Sequence, residues 1–429
     1  MNSPLTDFNE SASISAEVAS QNVGRFLTKI KTNRVLRATI LGLGCYAITS
    51  SIAILGVMFG YKFLDPPLDS NFRKGKLIQA FSNQDGGWYR RIVTTGYSYN
   101  PEARSPVAFF PLYPLLSHCL MRSCDLRPEV AMLIVAHVCL ALAFVLGSIY
   151  VEFRQPSLHA GAPHLVLLTM GLMPATLFFR MTYAESLFLL LSILSLLGMA
   201  RRWPLLVIAL IVGLATATRP VGVSLVAPFL LHCWHRAATP REFLLKASLL
   251  LPVACWGIGG YALYLQLRFG DPLAFAKTQD NWGVTVPFPD KIIDLLSYHP
   301  IWADFDQHFQ TGWDRPADTL DRLFSWKIAN SACFVITTIL IVIGAIKQWL
   351  SSYETLLAVF LLLIPYYTRA IEMGMSSQAR FAGVVFPVYL VLGNLLARLP
   401  WPITGSLLGL SGFYLGIFSA LFASWHWVF

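Results

Sequence analysis

The sequence predicts an all-α polytopic membrane protein, a transmembrane helix bundle of about eleven spans (roughly nine to thirteen) with short interfacial helices in its external loops. Hydrophobic residues fill 55% of the 429 positions and charged residues only 13%, whereas a soluble domain carries about a quarter charged residues. Apolar windows of roughly 15 to 25 residues, long enough for a helix to cross a hydrocarbon core, recur along the chain. Lys and Arg collect in alternate short connections between them. The windows centre near Leu41, Leu140, Leu168, Leu191, Ala209, Val226, Val253, Thr338, Leu361, Val388 and Leu410. Those around Leu168, Leu191, Ala209 and Val226 are short and separated only by Pro, Arg or Gly.

Residues 1–34 are polar and Ser-rich with no cleavable signal pattern, and read as a disordered cytoplasmic tail ahead of one membrane domain over 35–429. Arg25, Lys29, Lys31, Arg34 and Arg37 precede the first span, and Arg201, Arg202, Arg236, Arg241, Lys246, Lys347 and Arg398 fall in later alternate loops. This asymmetry sets the N-terminus in the cytoplasm and explains much of the net charge of +9 without a nucleic-acid partner. With eleven spans the C-terminus lies outside.

The first external loop is expected over 62–128, stiffened at its start by Pro66-Pro67. After Asp85, residues Trp88, Tyr89, Ile92 and Val93 recur at helical spacing with Arg90, Arg91, Thr94 and Thr95 on the other face, which predicts an interfacial amphipathic helix ended by Gly96. Phe109-Phe110-Pro111-Leu112-Tyr113-Pro114 reads as a rigid turn at headgroup depth. At the joint from Pro174 to Glu185, Arg180 and Tyr183 are expected at the external end of a span, and Thr182 to Glu185 has capping-box spacing. Arg219-Pro220 marks another external corner. The second external loop, 268–327, holds Gly270-Asp271-Pro272, Phe275, Gln279 and Trp282, then Asp304, Asp306, Trp313, Asp314 and Arg315. A third, 366–380, contains Arg369, Glu372 and Arg380.

Asp85, Glu185, Arg219, Gln279 and Arg380 thus come from five separate places, and the alternation of spans puts them all on one side of the membrane. Convergence of polar span ends on one face is a site signal. A carboxylate beside guanidinium groups at a lipid interface suits group transfer from a lipid phosphate: Arg219 and Arg380 would bind phosphate oxygens bidentately, and Asp85 would accept a proton from an attacking hydroxyl. Trp88, Tyr89, Tyr97 and Trp282 offer faces for a sugar or a prenyl chain. Each residue also has a structural reading. Asp85 fits a helix N-cap, Thr182 with Glu185 a capping box, and Arg219 and Arg380 snorkelling anchors. The Phe-Pro-Tyr run fits an aromatic belt, and mid-span His137 an interhelical hydrogen bond. The seven Cys residues fall mostly within spans, and Cys119 and Cys124 are near enough in sequence to meet, although their spacing demands no disulfide. No zinc pattern appears among Cys and His, and no metal site is assigned; a divalent ion at Asp85 stays open.

Four ordered segments resemble the PIG-V type mannosyltransferases, also called GPI mannosyltransferase II, and their bacterial relatives in the GT-C class of membrane glycosyltransferases. They are Asp85-Gly-Gly-Trp-Tyr-Arg-Arg-Ile with Gly96-Tyr97 and the Phe-Phe-Pro-Leu-Tyr-Pro run; Pro174 through Tyr183-Ala-Glu-Ser186; Thr218-Arg-Pro-Val-Gly222; and Phe269-Gly-Asp-Pro-Leu-Ala-Phe with Gln279 and Trp282. Arg380-Phe with Phe386-Pro387 is a weaker fifth. The resemblance implies a GT-C fold, a polyprenyl- or dolichyl-phosphate-mannose donor, a glycolipid, glycan or protein acceptor, and transfer on the external or luminal face. It places the first-loop acid, here Asp85, at the acceptor-activating or metal-proximal position. Tyr183, Glu185, Gln279 and Trp282, with Trp88 and Tyr89, would then contact sugar or acceptor. The sequence departs from the family at Gln84, where Trp is common, and at Ala184, where Ser is common. With the compact loops, this favours a bacterial inner-membrane member whose acceptor is not GPI over one of the endoplasmic reticulum. A transporter or lipid flippase, or a non-catalytic subunit of a transferase complex, are the rival readings. Ionisable groups at one end of the spans and the lack of an internal repeat speak against transport.

Overall fold

Helices of two kinds build the protein, long ones that match the thickness of a membrane and short ones that stop part-way. The computed structural model describes residues 33–67, 75–154, 157–283, 286–302 and 326–428. Arg25, Lys29, Lys31 and the rest of the expected tail up to residue 32 lie outside them, as do Asp304, Asp306, Trp313, Asp314 and Arg315.

Leaving aside isolated turns, the helices are α1 (Arg34–Phe63), α2 (Asp85–Thr95), α3 (Leu112–Ser123), α4 (Pro128–Arg154), α5 (Ala162–Leu172), α6 (Glu185–Ala200), α7 (Leu205–Thr216) and α8 (Val226–His235). They continue as α9 (Pro240–Ala254), α10 (Trp256–Phe269), α11 (Phe288–Leu296), α12 (Trp326–Ile346), α13 (Ser352–Met373), α14 (Gln378–Gly383), α15 (Phe386–Leu396) and α16 (Trp401–Ala423). The described residues are all-helical, with no strand.

Each predicted window lies on an apolar helix, but five are long and apolar enough to cross a membrane, or seven if two bent pairs each count as one. The bent pairs are α5 with the 3₁₀ turn Pro174–Arg180, at 78°, and α9 with α10, at 52°. Helices of 10–17 residues, such as α6, α7 and α15, fill the windows near Leu191, Ala209 and Val388, and the stretch from Pro220 to His235 fills that near Val226. At 1.5 Å per residue these reach about 15–25 Å, short of the roughly 30 Å core. Composition reports that a segment is apolar; it does not report where the chain turns back.

The longest partnership is α1 against α16. Gly56 and Gly60 on α1 face Gly416 and Ala420 on α16 so closely that a Cβ on Gly60 would lie 2.0 Å from the Ala420 carbonyl oxygen, and one on Gly56 2.4 Å from that of Gly416. Small residues four apart let two backbones touch, which is how helices associate where lipid offers no hydrophobic drive.

Arg180, expected at an external span end, is instead wholly buried. The break after α5 strands carbonyl groups inside the bundle, and Arg180 satisfies them. It donates to the carbonyls of Gly171 (3.0 Å) and Thr176 (3.1 Å), and to the hydroxyls of Thr49 (2.7 Å) and Ser50 (3.2 Å). Its neighbour His137 shares a 2.9 Å hydrogen bond with Tyr46 on α1, the interhelical role expected of it.

The helix after Asp85 forms as expected, ending at Gly96 with φ +80°. The Phe-Phe-Pro-Leu-Tyr-Pro run turns only as far as Pro111, and Leu112, Tyr113 and Pro114 then open α3. Pro is tolerated there because the first amides of a helix have no intrahelical partner. The interval 366–380 begins inside α13, which continues to Met373 before a turn through Gly374 (φ +54°) and Ser377 (φ +67°) leads into α14. The described part of 268–327 contains α11 and short turns around Ala274–Trp282.

Gly60→Val should force α1 from α16 and destabilise the protein by about 1–3 kcal/mol. Gly409→Val, on α16 with open space at its Cβ, is the control. Thermal unfolding in detergent should show a lowered midpoint for the first variant alone.

Candidate active site

Asp85 owes its position to two strained residues and one tyrosine. Gln84 turns the chain at φ +53°, which makes Asp85 the first residue of α2. The Asp85 amide donates to the Tyr183 hydroxyl (3.1 Å), which in turn donates to the Asn83 carbonyl (3.1 Å). From the other side the Asn83 amide caps the end of α16 at Phe422 (2.9 Å) and Ala423 (3.1 Å), and Gln84 donates to the His426 carbonyl (3.2 Å). The turn at Trp425, with φ +67°, brings that carbonyl within reach.

Gln84, not Asp85, is the N-cap residue of α2, and its side chain makes no cap bond. The Asp85 carboxylate accepts from Arg380 at 2.5 Å. The capping box expected at Thr182 and Glu185 does not form: the Thr182 hydroxyl donates to the Phe81 carbonyl, and Glu185 begins α6 with its side chain turned to Arg380 and Arg219. Arg380 donates to Glu185 through Nε and to Asp85 through Nη1, so one guanidinium joins both acids. Its plane lies over Tyr183 (4.7 Å) and Phe178 (5.1 Å). Arg219 precedes the 3₁₀ turn Pro220–Leu225, where Gly222 lets the chain fold back onto the Ala215 backbone; a Cβ there would lie 2.3 Å from the Ala215 carbonyl oxygen. Its Nη1 sits 3.1 Å from Glu185 Oε1.

Two acids and two guanidinium groups therefore share a site of zero net charge. Glu185 is 1% exposed, Arg219 8%, Arg380 11% and Asp85 30%, so the exposed end of the network is Asp85. Burial by itself would lower the Arg380 pKa, but the Glu185 and Asp85 carboxylates outweigh it and hold the group above the ordinary arginine value. Burial pushes the Tyr89 phenol well up, so it faces the site as a neutral donor. Two buried atoms of this four-residue network are left without a hydrogen-bond partner: Glu185 Oε2, and Arg219 Nη1, which lies at ion-pair distance with its N–H directed elsewhere.

The network opens on a cavity of about 1270 Å³. Asp85, Trp88, Tyr89, Arg219, Gln279, Trp282 and Arg380 all line it. Trp88 stacks on Phe109 (6.2 Å between centroids) and leans on Trp282 (5.8 Å), which makes an aromatic wall. Tyr183 and Glu185 lie behind the lining, fully buried, holding Asp85 and Arg380. Tyr97 is tied to the Phe109 carbonyl (2.8 Å) and does not reach the cavity.

Lining groups without a role in the sequence analysis include Arg104, Asp280, Lys291 and the pair Trp425 and Trp427. Arg369 and Glu372, noted only as members of the third loop, line it too. Their signal was an aromatic pair just past an apolar segment and an i, i+3 charged pair at the end of another.

Among the described residues no group of three or more His, Cys, Asp or Glu side chains is placed to hold a metal. Asp85 and Glu185 are the two carboxylates that approach one another's neighbourhood, and the Arg380 guanidinium occupies the place between them. That donor set does not fit a divalent cation.

No family model matches the chain. No curated protein matches it. Among solved structures it is similar to the oligosaccharyltransferase of Archaeoglobus fulgidus. The apo form is 13% identical, with 90% of this chain and 56% of that one covered at a TM-score of 0.42. The complex with an inhibitory peptide and a dolichol-phosphate is 12% identical over the same shares at 0.43. The chain thus spans about half the length of those proteins, and a likeness this slight transfers no activity.

Glu185→Ala should strand Arg219, leave Arg380 with Asp85 alone, and destabilise the protein by about 3–5 kcal/mol. Asp85→Asn, at the exposed end, should cost far less. Unfolding midpoints of the two variants in one detergent would separate them.

Proposed function

We propose that the protein is an inverting, lipid-linked membrane glycosyltransferase of the GT-C type, and specifically a mannosyltransferase that uses polyprenyl-phosphate-mannose. The observation that carries the class is a partly exposed carboxylate, held by a guanidinium, at the wall of a large cavity lined with tryptophan and further cations. The sugar and the donor rest on the motif resemblance.

An acceptor hydroxyl approaches the anomeric carbon from the side opposite the phosphate. As the new C–O bond forms, the bond from the anomeric carbon to the phosphate oxygen breaks and its electron pair leaves with the lipid phosphate. Asp85 takes the hydroxyl proton. Arg380 is bound to two carboxylates, so its main work is to orient Asp85 rather than to neutralise phosphate. Arg219 lines the cavity and would meet a phosphate oxygen there. Glu185 and Tyr183 act through Arg380 and Asp85 as positioning residues, while Trp88, Tyr89, Trp282 and Gln279 contact the sugar or acceptor. A glycolipid, glycan or protein on the outer face of a bacterial cell membrane is the acceptor class this reading implies.

Purified protein given labelled polyprenyl-phosphate-mannose and a candidate acceptor should form a glycosidic product. Asp85→Asn should reduce the rate by about 10²–10⁴. Equal transfer by variant and wild type would remove Asp85 from the chemistry, and substrate crossing liposomes with no product would replace the enzyme by a transporter.

A further inference from the structure

We propose that Arg369 is the anion anchor of the cavity and binds the phosphate of a prenyl-linked substrate, an assignment that rests on the transferase reading above. The network around Asp85 is neutral: Arg219 and Arg380 are matched by Glu185 and Asp85. A phosphate placed against it gains hydrogen bonds but no net charge. The remaining charged groups of the lining are Arg104, Lys291 and Arg369 against Asp280 and Glu372, an excess of one positive charge.

That excess settles on Arg369. Glu372 is committed to Lys291 at 2.6 Å and stands 3.7 Å from Arg369. The Arg104 guanidinium packs over Trp282 at 5.8 Å and donates to the Asn281 carbonyl (3.1 Å) from an exposed position. Arg369 is only 13% exposed and its hydrogen bonds go to neutral acceptors, the Gln279 carbonyl (3.2 Å) and the Met373 thioether (2.9 Å), while Glu372 and Asp280 act on it through space without a hydrogen bond. A guanidinium carries five N–H donors, and a thioether is a weak acceptor. Arg369 therefore presents a poorly compensated charge and unused donors to the same cavity that Asp85 faces. A half-buried cation of this kind gains most from an anion brought to it, because the low local dielectric strengthens the attraction.

Farnesyl phosphate is the probe, titrated against the full chain in detergent or nanodiscs, with inorganic phosphate as a competitor. Wild type should bind it saturably, and Arg369→Gln should weaken binding by about ten- to a hundredfold, as for loss of a charge-assisted contact. Glu372→Gln should tighten it, a gain that a misfolded variant would not produce. Asp85→Asn should still bind while transfer is lost. If wild type binds and Arg369→Gln leaves the affinity unchanged, the anchor is overturned and the transferase reading stands, even where Glu372→Gln tightens binding, since that variant also frees Lys291. If wild type binds no prenyl phosphate, the transferase reading falls with it. Displacement by equal concentrations of inorganic phosphate would overturn the prenyl-linked source.

Discussion

The site depends on one guanidinium shared by two acids. Arg380 joins Asp85, on a helix early in the chain, to Glu185, at the head of another, and Glu185 passes the contact on to Arg219. Charges buried among apolar helices are costly unless paired. Four such groups from four distant places are therefore sustainable only together. The constraint runs outward from there: Tyr183 must hold the Asp85 backbone, Phe178 must lie beneath the guanidinium, and the end of α16 must accept the Asn83 cap.

This arrangement explains why the bundle tolerates so many helices too short to cross. Glu185 and Arg219 sit at ends of α6 and of the turn before α8, and each end falls inside the protein instead of at a surface. A helix that stops part-way delivers its terminal side chain to the interior, at the cost of orphaned backbone groups. Arg180 shows how that cost is met at the α5 break, where a side chain supplies the missing donors. Irregular backbone at depth and a polar site are thus two aspects of one design.

Much of this was legible in the sequence, and the failures share a cause. The helical nature, the amphipathic α2 with its Gly96 stop, and the convergence of Asp85, Glu185, Arg219, Gln279 and Arg380 follow from periodicity and the alternation of spans, which are one-dimensional properties. Partner choice is not. Thr182 and Glu185 have the spacing of a capping box, yet two guanidinium groups from distant segments outbid a local amide for the Glu185 carboxylate. Arg180 is expected at a span end, yet two carbonyls left by a broken helix and two hydroxyls of α1 draw it inward. The α1 and α16 contact rests on Gly56, Gly60, Gly416 and Ala420, which a hydropathy window counts only as apolar.

The division of charge within the cavity has a mechanistic consequence. A general base must be correctly aimed, and in the proposed mechanism pairing with Arg380 would aim Asp85, but the pairing also uses up the cation that a leaving phosphate would need. An active site with only the Asp85 network would orient its base well and stabilise its leaving group poorly. In the proposed transferase, a second cation whose hydrogen bonds go to a carbonyl and a thioether would resolve the conflict by keeping charge for the ligand. Separating the cation that aims the base from the one that meets the anion would let Asp85 and a lipid phosphate occupy one cavity without competing for the same guanidinium.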